Sequence, residues 1–434
     1  MSQRFSVGRC GTATGLLIAA VLSGCGAGGS PMNSNSAPMP SAPANMNSTT
    51  PPAVAQAMDA GTAVDPAIVT ADNTFALNLF QNLNSGASGN VSIAPISVAM
   101  TLQILYNGAA GATQQAMAQT LQLGAMSAQD LNNANAALQG SLMNADPNVQ
   151  LVIANSLWLH MDTTTVLPSF TQMDEMYYGA TVGDLAGAPT NVNSWVSSET
   201  NGLITEILPA GNYGAVVAVL ANVIYFKGQW STAFDPSQTR SAPFTLADGT
   251  QATVQMMHQS GSYSYLAGTG FQALRLPYGQ GRLSMLLLLP DSGTPLSNLV
   301  ASLTLDGLNS WIGQMQTGSG EIALPKFTAT YGASLPPALT TLGMGAIFCN
   351  TAPSPDFSAL APGVCVSDVE HKTVVEVDES GTVAAGATTI TVSPVAVAAP
   401  QFTLTLDHPF LYAIRDDQTG ELLFIGTLMN PTTG

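Results

Sequence analysis

Catalysis needs a nucleophile beside a base, two carboxylates at working distance, or a glycine-lined cradle for a cofactor. The chain offers no GxSxG elbow, no HExxH and no GxxxxGK[ST]. Its four histidines, His160, His258, His371 and His408, stand far apart in sequence. Gly268-Thr269-Gly270-Phe271-Gln272-Ala273 fits a loose dinucleotide pattern, but strand-like text follows it where a helix is required. No CxxC pair and no Cys/His spacing suits a metal. These residues predict neither an enzyme nor a cofactor or metal site.

What remains is a conformational chemistry. From Ser380 to Leu406 there is no charged residue. The run opens on Gly381-Thr382 and Val383-Ala384-Ala385-Gly386-Ala387, then the β-branched Thr388-Thr389-Ile390-Thr391-Val392, then Ser393-Pro394 and Val395-Ala396-Val397-Ala398-Ala399. Small and β-branched residues suit an extended strand, whereas Gly381, Gly386, Pro394 and Pro400 weaken it as an ordinary central strand. The composition therefore allows a plain Ala/Thr-rich connection. It equally allows a segment that is a loop in one state and a strand in another.

The flanks decide between these. Ser367-Asp368-Val369-Glu370-His371-Lys372 and Val374-Val375-Glu376-Val377-Asp378-Glu379 precede the run. Asp407-His408-Pro409-Phe410, Ile414-Arg415-Asp416, Thr419-Gly420, Leu423-Phe424-Ile425-Gly426 and Asn430-Pro431 follow it. This ordered set resembles the serpins, suicide inhibitors of proteases, at their mobile hinge, reactive-centre loop and C-terminal signature. Further segments resemble the family in order: Asn90–Met100, Asn155–Leu159, Val192–Val196, Thr200–Ile204, Leu220–Trp230, Leu274–Tyr278, Leu283–Pro290 and Leu324–Phe327. The resemblance spans about residue 70 to 432, and no internal repeat interrupts it.

The resemblance implies an α+β chain with a large central, mostly antiparallel sheet, two smaller sheets, about eight or nine helices and an exposed reactive-centre loop. It implies no catalytic residue in the chain itself, which instead offers a bond to be cut. Counting seventeen residues from Glu379, or fourteen back from Pro409, places that bond at Val395-Ala396, with Ala396-Val397 as the alternative. A small β-branched residue before the bond suits a shallow apolar pocket, so the partner implied is an elastase-like or subtilisin-like serine protease rather than a trypsin-like one. After cleavage, residues from about Thr382 to Val392 would insert as a new strand, with Thr382, Ala384, Gly386 and Thr388 on its buried face. Glu379, Gly381, Thr382, Ala384, Ala385, Gly386, Ala387 and Thr388 form the hinge by this reading. Ser97, Asn222, Trp230, Lys326 and His371 belong by resemblance to the region that opens the sheet, Lys326 pairing with Glu379 and His371 lying among buried polar groups with Asn222. Ala94 stands where relatives carry a second serine, which puts one hydrogen bond there in question. The rival reading is a surface or structural protein that keeps the fold without inhibiting. The small, uncharged hinge argues against it.

Composition sets the remaining bounds. Of 434 residues 46% are hydrophobic and 8% charged, enough core for one large domain. Nine Lys/Arg stand against 26 Asp/Glu; without Arg4 and Arg9 the balance is seven against 26, or −19. No basic cluster exists, which excludes nucleic acid or heparin as a partner held by a basic patch, and a monomer is expected. Residues 1–24 read as an export signal, with Arg4 and Arg9 before the apolar Gly15–Leu22. Leu22-Ser23-Gly24-Cys25 resembles the bacterial lipoprotein box, which implies a lipid on Cys25 and a cell-envelope location; a plain secretory signal is the alternative. The apolar run is short of the ~20 residues of a spanning helix, so the membrane is met by the lipid alone. Residues 25–64 read as a disordered Ser/Pro/Asn-rich tether and 65–434 as the globular domain. Cys349 and Cys365, sixteen apart, are either a disulfide, as export favours, or two buried thiols.

Overall fold

The computed structural model describes residues 63–382 and 400–433. The domain begins at α1 (Pro66–Asn84), where the Asp65 carboxylate accepts from the Ala67 amide and Pro66 opens the first turn. There follow β1 (Val91–Ile93), α2 (Pro95–Gly108), α3 (Gly111–Thr120), α4 (Ala128–Met143) and β2 (Val149–Leu159). Next come α5 (Pro168–Tyr177), β3 (Thr181–Asp184), α6 (Thr190–Glu199), β4 (Ala218–Gln229), β5 (Arg240–Thr245), β6 (Gln251–Ala267), β7 (Phe271–Tyr278) and β8 (Leu283–Pro290). The chain continues through α7 (Leu296–Ala301), α8 (Leu305–Gln314), β9 (Gln316–Pro325), β10 (Phe327–Ser334), α9 (Pro336–Leu339), β11 (Asp368–Val377) and β12 (Gly381–Thr382). Beyond residue 399 it forms β13 (Phe402–Thr405), β14 (Phe410–Asp416) and β15 (Leu422–Leu428).

Six strands form one sheet in the order β10-β11-β12-β4-β2-β3. Most neighbours are antiparallel; β2–β3 and β11–β4 are parallel. The other strands form a nine-stranded sheet, in which the two smaller sheets expected from the sequence run into one another. The cause is the length of β6: its 17 residues pair with β5 at one end, β9 along the middle and β7 at the other end.

The six-stranded sheet is covered on both faces, and its period-2 alternation sorts the residues. On β11, Val369, His371, Thr373, Val375 and Val377 point into the main core, toward α2. Asp368, Glu370, Lys372 and Val374 lie on the opposite face, where Val192 and Val196 of α6 pack with Trp158, Val219, Ala221 and Val223. Nearly every residue of α2 is buried, so its Ser97, Thr101 and Gln103 must find partners inside. Cys349 and Cys365 are joined as a disulfide with their Cα atoms 4.8 Å apart, just ahead of β11.

Candidate functional site

Two strands of the six-stranded sheet meet at one end and part at the other. Along Asp368–Lys372, β11 pairs directly with Val219–Val223 of β4. Above that seam, Thr373–Glu376 and Ile224–Lys227 make no pair with each other among the described residues, and β12 fills the top of the gap. Thr382 pairs there with Val377 on one side and Gly228 on the other. The first hinge residues are thus already strand, and the described chain stops where it enters the gap.

A tight turn feeds β12. The Asp378 carboxylate accepts from the Ser380 amide at 2.8 Å, the Ser380 hydroxyl at 2.6 Å and the Gly381 amide at 3.2 Å. Gly381 has φ +152°, and a Cβ there would lie 2.0 Å from the Gly228 carbonyl oxygen, so only glycine fits between the strands. Trp230 holds the turn from outside: its ring N–H donates to the Asp378 carbonyl at 2.9 Å and its amide to the Ser380 carbonyl at 2.9 Å.

Glu379 is fastened by two side chains. Lys326 Nζ lies 2.7 Å from its Oε2, and the Thr239 hydroxyl donates to Oε1 at 2.7 Å. Burial alone would raise this carboxyl, but those bonds hold it below its ordinary value. Lys326 stands at the junction of β9 and β10, so one ion pair ties the hinge to both sheets.

Thr382 is fully buried, and its hydroxyl lies 2.7 Å from the Tyr278 hydroxyl. Tyr278 in turn stacks on Trp230, ring centroids 4.4 Å apart. Sequence reasoning passed over Tyr278 and Thr239. Tyr278 ends a strand 104 residues from Thr382, and no local pattern links the two. A tyrosine closing an apolar strand was the available signal, because a buried hydroxyl needs a partner.

Beneath the closed seam lies a buried polar cluster. His371 Nδ1 is 3.0 Å from Asn222 Oδ1, and its Nε2 is 3.1 Å from the Ala94 amide. The amide must donate, so Nε2 accepts and Nδ1 carries the proton; burial pushes the imidazole pKa down to about 3 and keeps it neutral. Ala94 has no side-chain hydroxyl and reaches the cluster through its backbone amide alone. Asn222 Nδ2 has three acceptors for its two N–H groups: Ser97 Oγ, Thr101 Oγ1 at 3.0 Å and Asn155 Oδ1 at 2.7 Å. This knot joins α2, β2, β4 and β11 at the place where the seam would have to part.

The structure therefore brings Glu379, Gly381, Thr382, Trp230 and Lys326 together at the top of the seam, and Ser97, Asn222 and His371 beneath its lower half. Ala384, Ala385, Gly386, Ala387, Thr388, Val395 and Ala396 lie outside the described residues, as does Cys25. Among the described residues no group of three or more His, Cys, Asp or Glu could hold a metal.

Comparison with known proteins agrees with this geometry. The family model described as serpin (serine protease inhibitor) matches residues 70–431. Leukocyte elastase inhibitor of Sus scrofa is 33% identical over 377 residues, covering 83% of this chain and 98% of the relative. The native-state structure of the thermophilic serpin tengpin aligns with TM-score 0.78 and 28% identity over 85% of this chain and 95% of the other. Thyroxine-binding globulin in complex with thyroxine aligns with TM-score 0.76 and 26% identity, over 84% and 99%.

Proposed function

The chain belongs to the serpin family, and from that premise we propose that it is a trapping inhibitor of elastase-like or subtilisin-like serine proteases, cut at Val395-Ala396. The observation that carries this reading is the gap below Thr382. Continued in the register of β12, Ala384 would fall between Val375 and Phe226, Gly386 between Thr373 and Ile224, and Thr388 between His371 and Asn222. Val392 would reach Ser367 and Ala218, one residue past the last seam pair, Asp368–Val219. The β-branched run therefore ends where the seam ends. Thr382, Ala384, Gly386 and Thr388 would share the core face with Val377, Val375, Thr373 and His371, where only small or weakly polar side chains fit.

In this mechanism the protease serine attacks the Val395 carbonyl and forms an acyl-enzyme. Cleavage frees the hinge end, the gap fills first, and the five seam pairs then part to admit the remainder. The tethered protease is dragged with the strand and its active site is distorted before deacylation. Similarity to an elastase inhibitor supports the protease class. By the same proposal, Cys25 carries a lipid and residues 25–64 tether the domain to the cell envelope.

The test is heat stability before and after cleavage within residues 383–399 by a protease that is not trapped. Insertion predicts a large rise in the unfolding temperature of the cleaved chain. No rise would reject insertion and leave a serpin-fold protein that does not inhibit.

A further inference from the structure

The foot of the seam is closed by Ser367, one residue below the pair Asp368–Val219. Its amide donates to the Ala218 carbonyl at 2.9 Å, and its hydroxyl oxygen accepts from the Val217 amide at 2.9 Å. One residue thus ties the start of β11 to the start of β4 twice. A strand inserted as far as Val392 would have to break both bonds.

The disulfide aims that hydroxyl. Cys349 Sγ lies 3.4 Å from Ser367 Oγ. A sulfur bonded to Cys365 carries no proton, so the hydroxyl donates to it and keeps its lone pairs for Val217. The backbone alongside is also paired: the Cys349 amide donates to the Val366 carbonyl and the Val366 amide to the Ile347 carbonyl, each at 3.0 Å. The loop between the cysteines is anchored without the disulfide. The Asp356 carbonyl accepts from the Ala110 amide at 2.9 Å, the Asp356 amide donates to the Thr113 hydroxyl at 2.9 Å, and the Leu360 carbonyl accepts from the Leu167 amide at 2.8 Å. Breaking the S–S bond therefore leaves the loop seated at the starts of α3 and α5, and its effect falls on Ser367. Both cysteines are only half-buried, so the bond is not sealed from a small thiol.

We propose that Cys349–Cys365 is a thiol-operated latch on the foot of the seam: oxidised, it holds Ser367 against Val217 and Ala218; reduced by a dithiol, it releases them and the strands part more readily. The dithiol supplies the two electrons. Its first thiolate attacks one cysteine sulfur, forms a mixed disulfide and expels the other cysteine as a thiolate, which takes up a proton. Its second thiolate breaks the mixed bond and closes the reductant into its own disulfide, and the second cysteine is protonated in turn. The Cys349 thiol can then rotate, and it donates as well as accepts, so the Ser367 hydroxyl loses its fixed aim. If the inhibitor reading holds, reduction also eases the last stage of insertion, which is the parting of this foot.

The test reads the foot without a protease. Amide hydrogen exchange of the full chain is followed at single residues before and after treatment with dithiothreitol. The Val217 and Ser367 amides report the two bonds directly, and both should exchange severalfold faster after reduction. The β10 amides Phe327–Thr330, which pair with the upper part of β11, should be unchanged. A disulfide that merely constrains the unfolded chain would not single out the foot. The double variant Cys349→Ser, Cys365→Ser should show the fast pattern without reductant; if it folds poorly, the reduced wild type carries the test alone. In Ser367→Ala the Val217 amide should exchange fast already, with no further gain on reduction. Unchanged exchange at Val217 and Ser367, or an equal gain at Phe327–Thr330, would overturn the latch. Failure to trap any protease would overturn the inhibitor reading and leave this measurement standing.

Discussion

The hydroxyls of Tyr278 and Thr382 lie 2.7 Å apart in a buried site, joining the last residue of β7 to the residue at which the hinge enters the sheet. The native hinge is therefore not free; one side-chain hydrogen bond holds its second strand residue in place. Tyr278→Phe keeps the ring that stacks on Trp230 and removes only the hydroxyl. It leaves the Thr382 hydroxyl buried without this partner, at a cost of about 1–3 kcal/mol. The expected outcome is a lower midpoint in the first urea transition of the native chain. An unchanged midpoint would mean that the contact contributes nothing.

Thr382→Arg should turn an inhibitor into a substrate. The site is fully buried between two strands, and an unpaired guanidinium there costs several kcal/mol. Insertion slows and deacylation overtakes it. Turnover of loop cleavage without accumulation of complex is the expected readout. Trapping at the wild-type ratio would contradict the insertion register.

Glu379→Lys should promote loop–sheet polymers. The substitution places an ammonium opposite Lys326 and removes the acceptor of Thr239. The turn that closes the top of the gap then loses both side-chain ties on Glu379. Native gels after mild heating should show ladders that wild type lacks. A monomer as persistent as wild type would show the ion pair to be idle.

The stability of the domain should depend on pH through Asp72. Burial pushes its pKa up to about 7 from 3.8, although Gln103 donates to its Oδ1 at 2.6 Å. Between those values the folded chain binds a proton that the unfolded chain has released, so this contribution to stability falls as pH rises and is level above about 7. His371 acts in the opposite sense: its pKa of about 3 means stability lost as pH falls below 6.5. Asp72→Asn removes the first effect, together with the push that the Asp72 charge gives the buried Glu421 carboxyl. The stability of the variant minus that of wild type should increase from pH 4 to 7, by at most about 1.4 kcal/mol per unit, and then stay constant. A difference independent of pH would contradict the protonated state of Asp72.

The fold and the top of the site were legible because they rest on ordered local patterns. The strand text from Leu220 to Trp230, the small hinge and the C-terminal signature each occupy a short window. What stayed hidden depends on distant partners. Tyr278, Thr239 and the backbone bond from Ala94 to His371 are set by strand register and tertiary approach, which no periodicity encodes. The merging of the smaller sheets was hidden for another reason: it depends on which strands the two ends of β6, Gln251–Ala267, pair with.

The central claim is that a cleaved loop captures its protease. The direct measurement is a denaturing gel of the domain incubated with an elastase-type serine protease, followed by mass mapping of the linkage. We expect a 1:1 adduct that survives denaturant, joined through an ester to Val395, and expect Val395→Arg to transfer capture to trypsin-like enzymes with insertion intact. Clean cleavage by every small-pocket protease tested, with no adduct, would contradict the account.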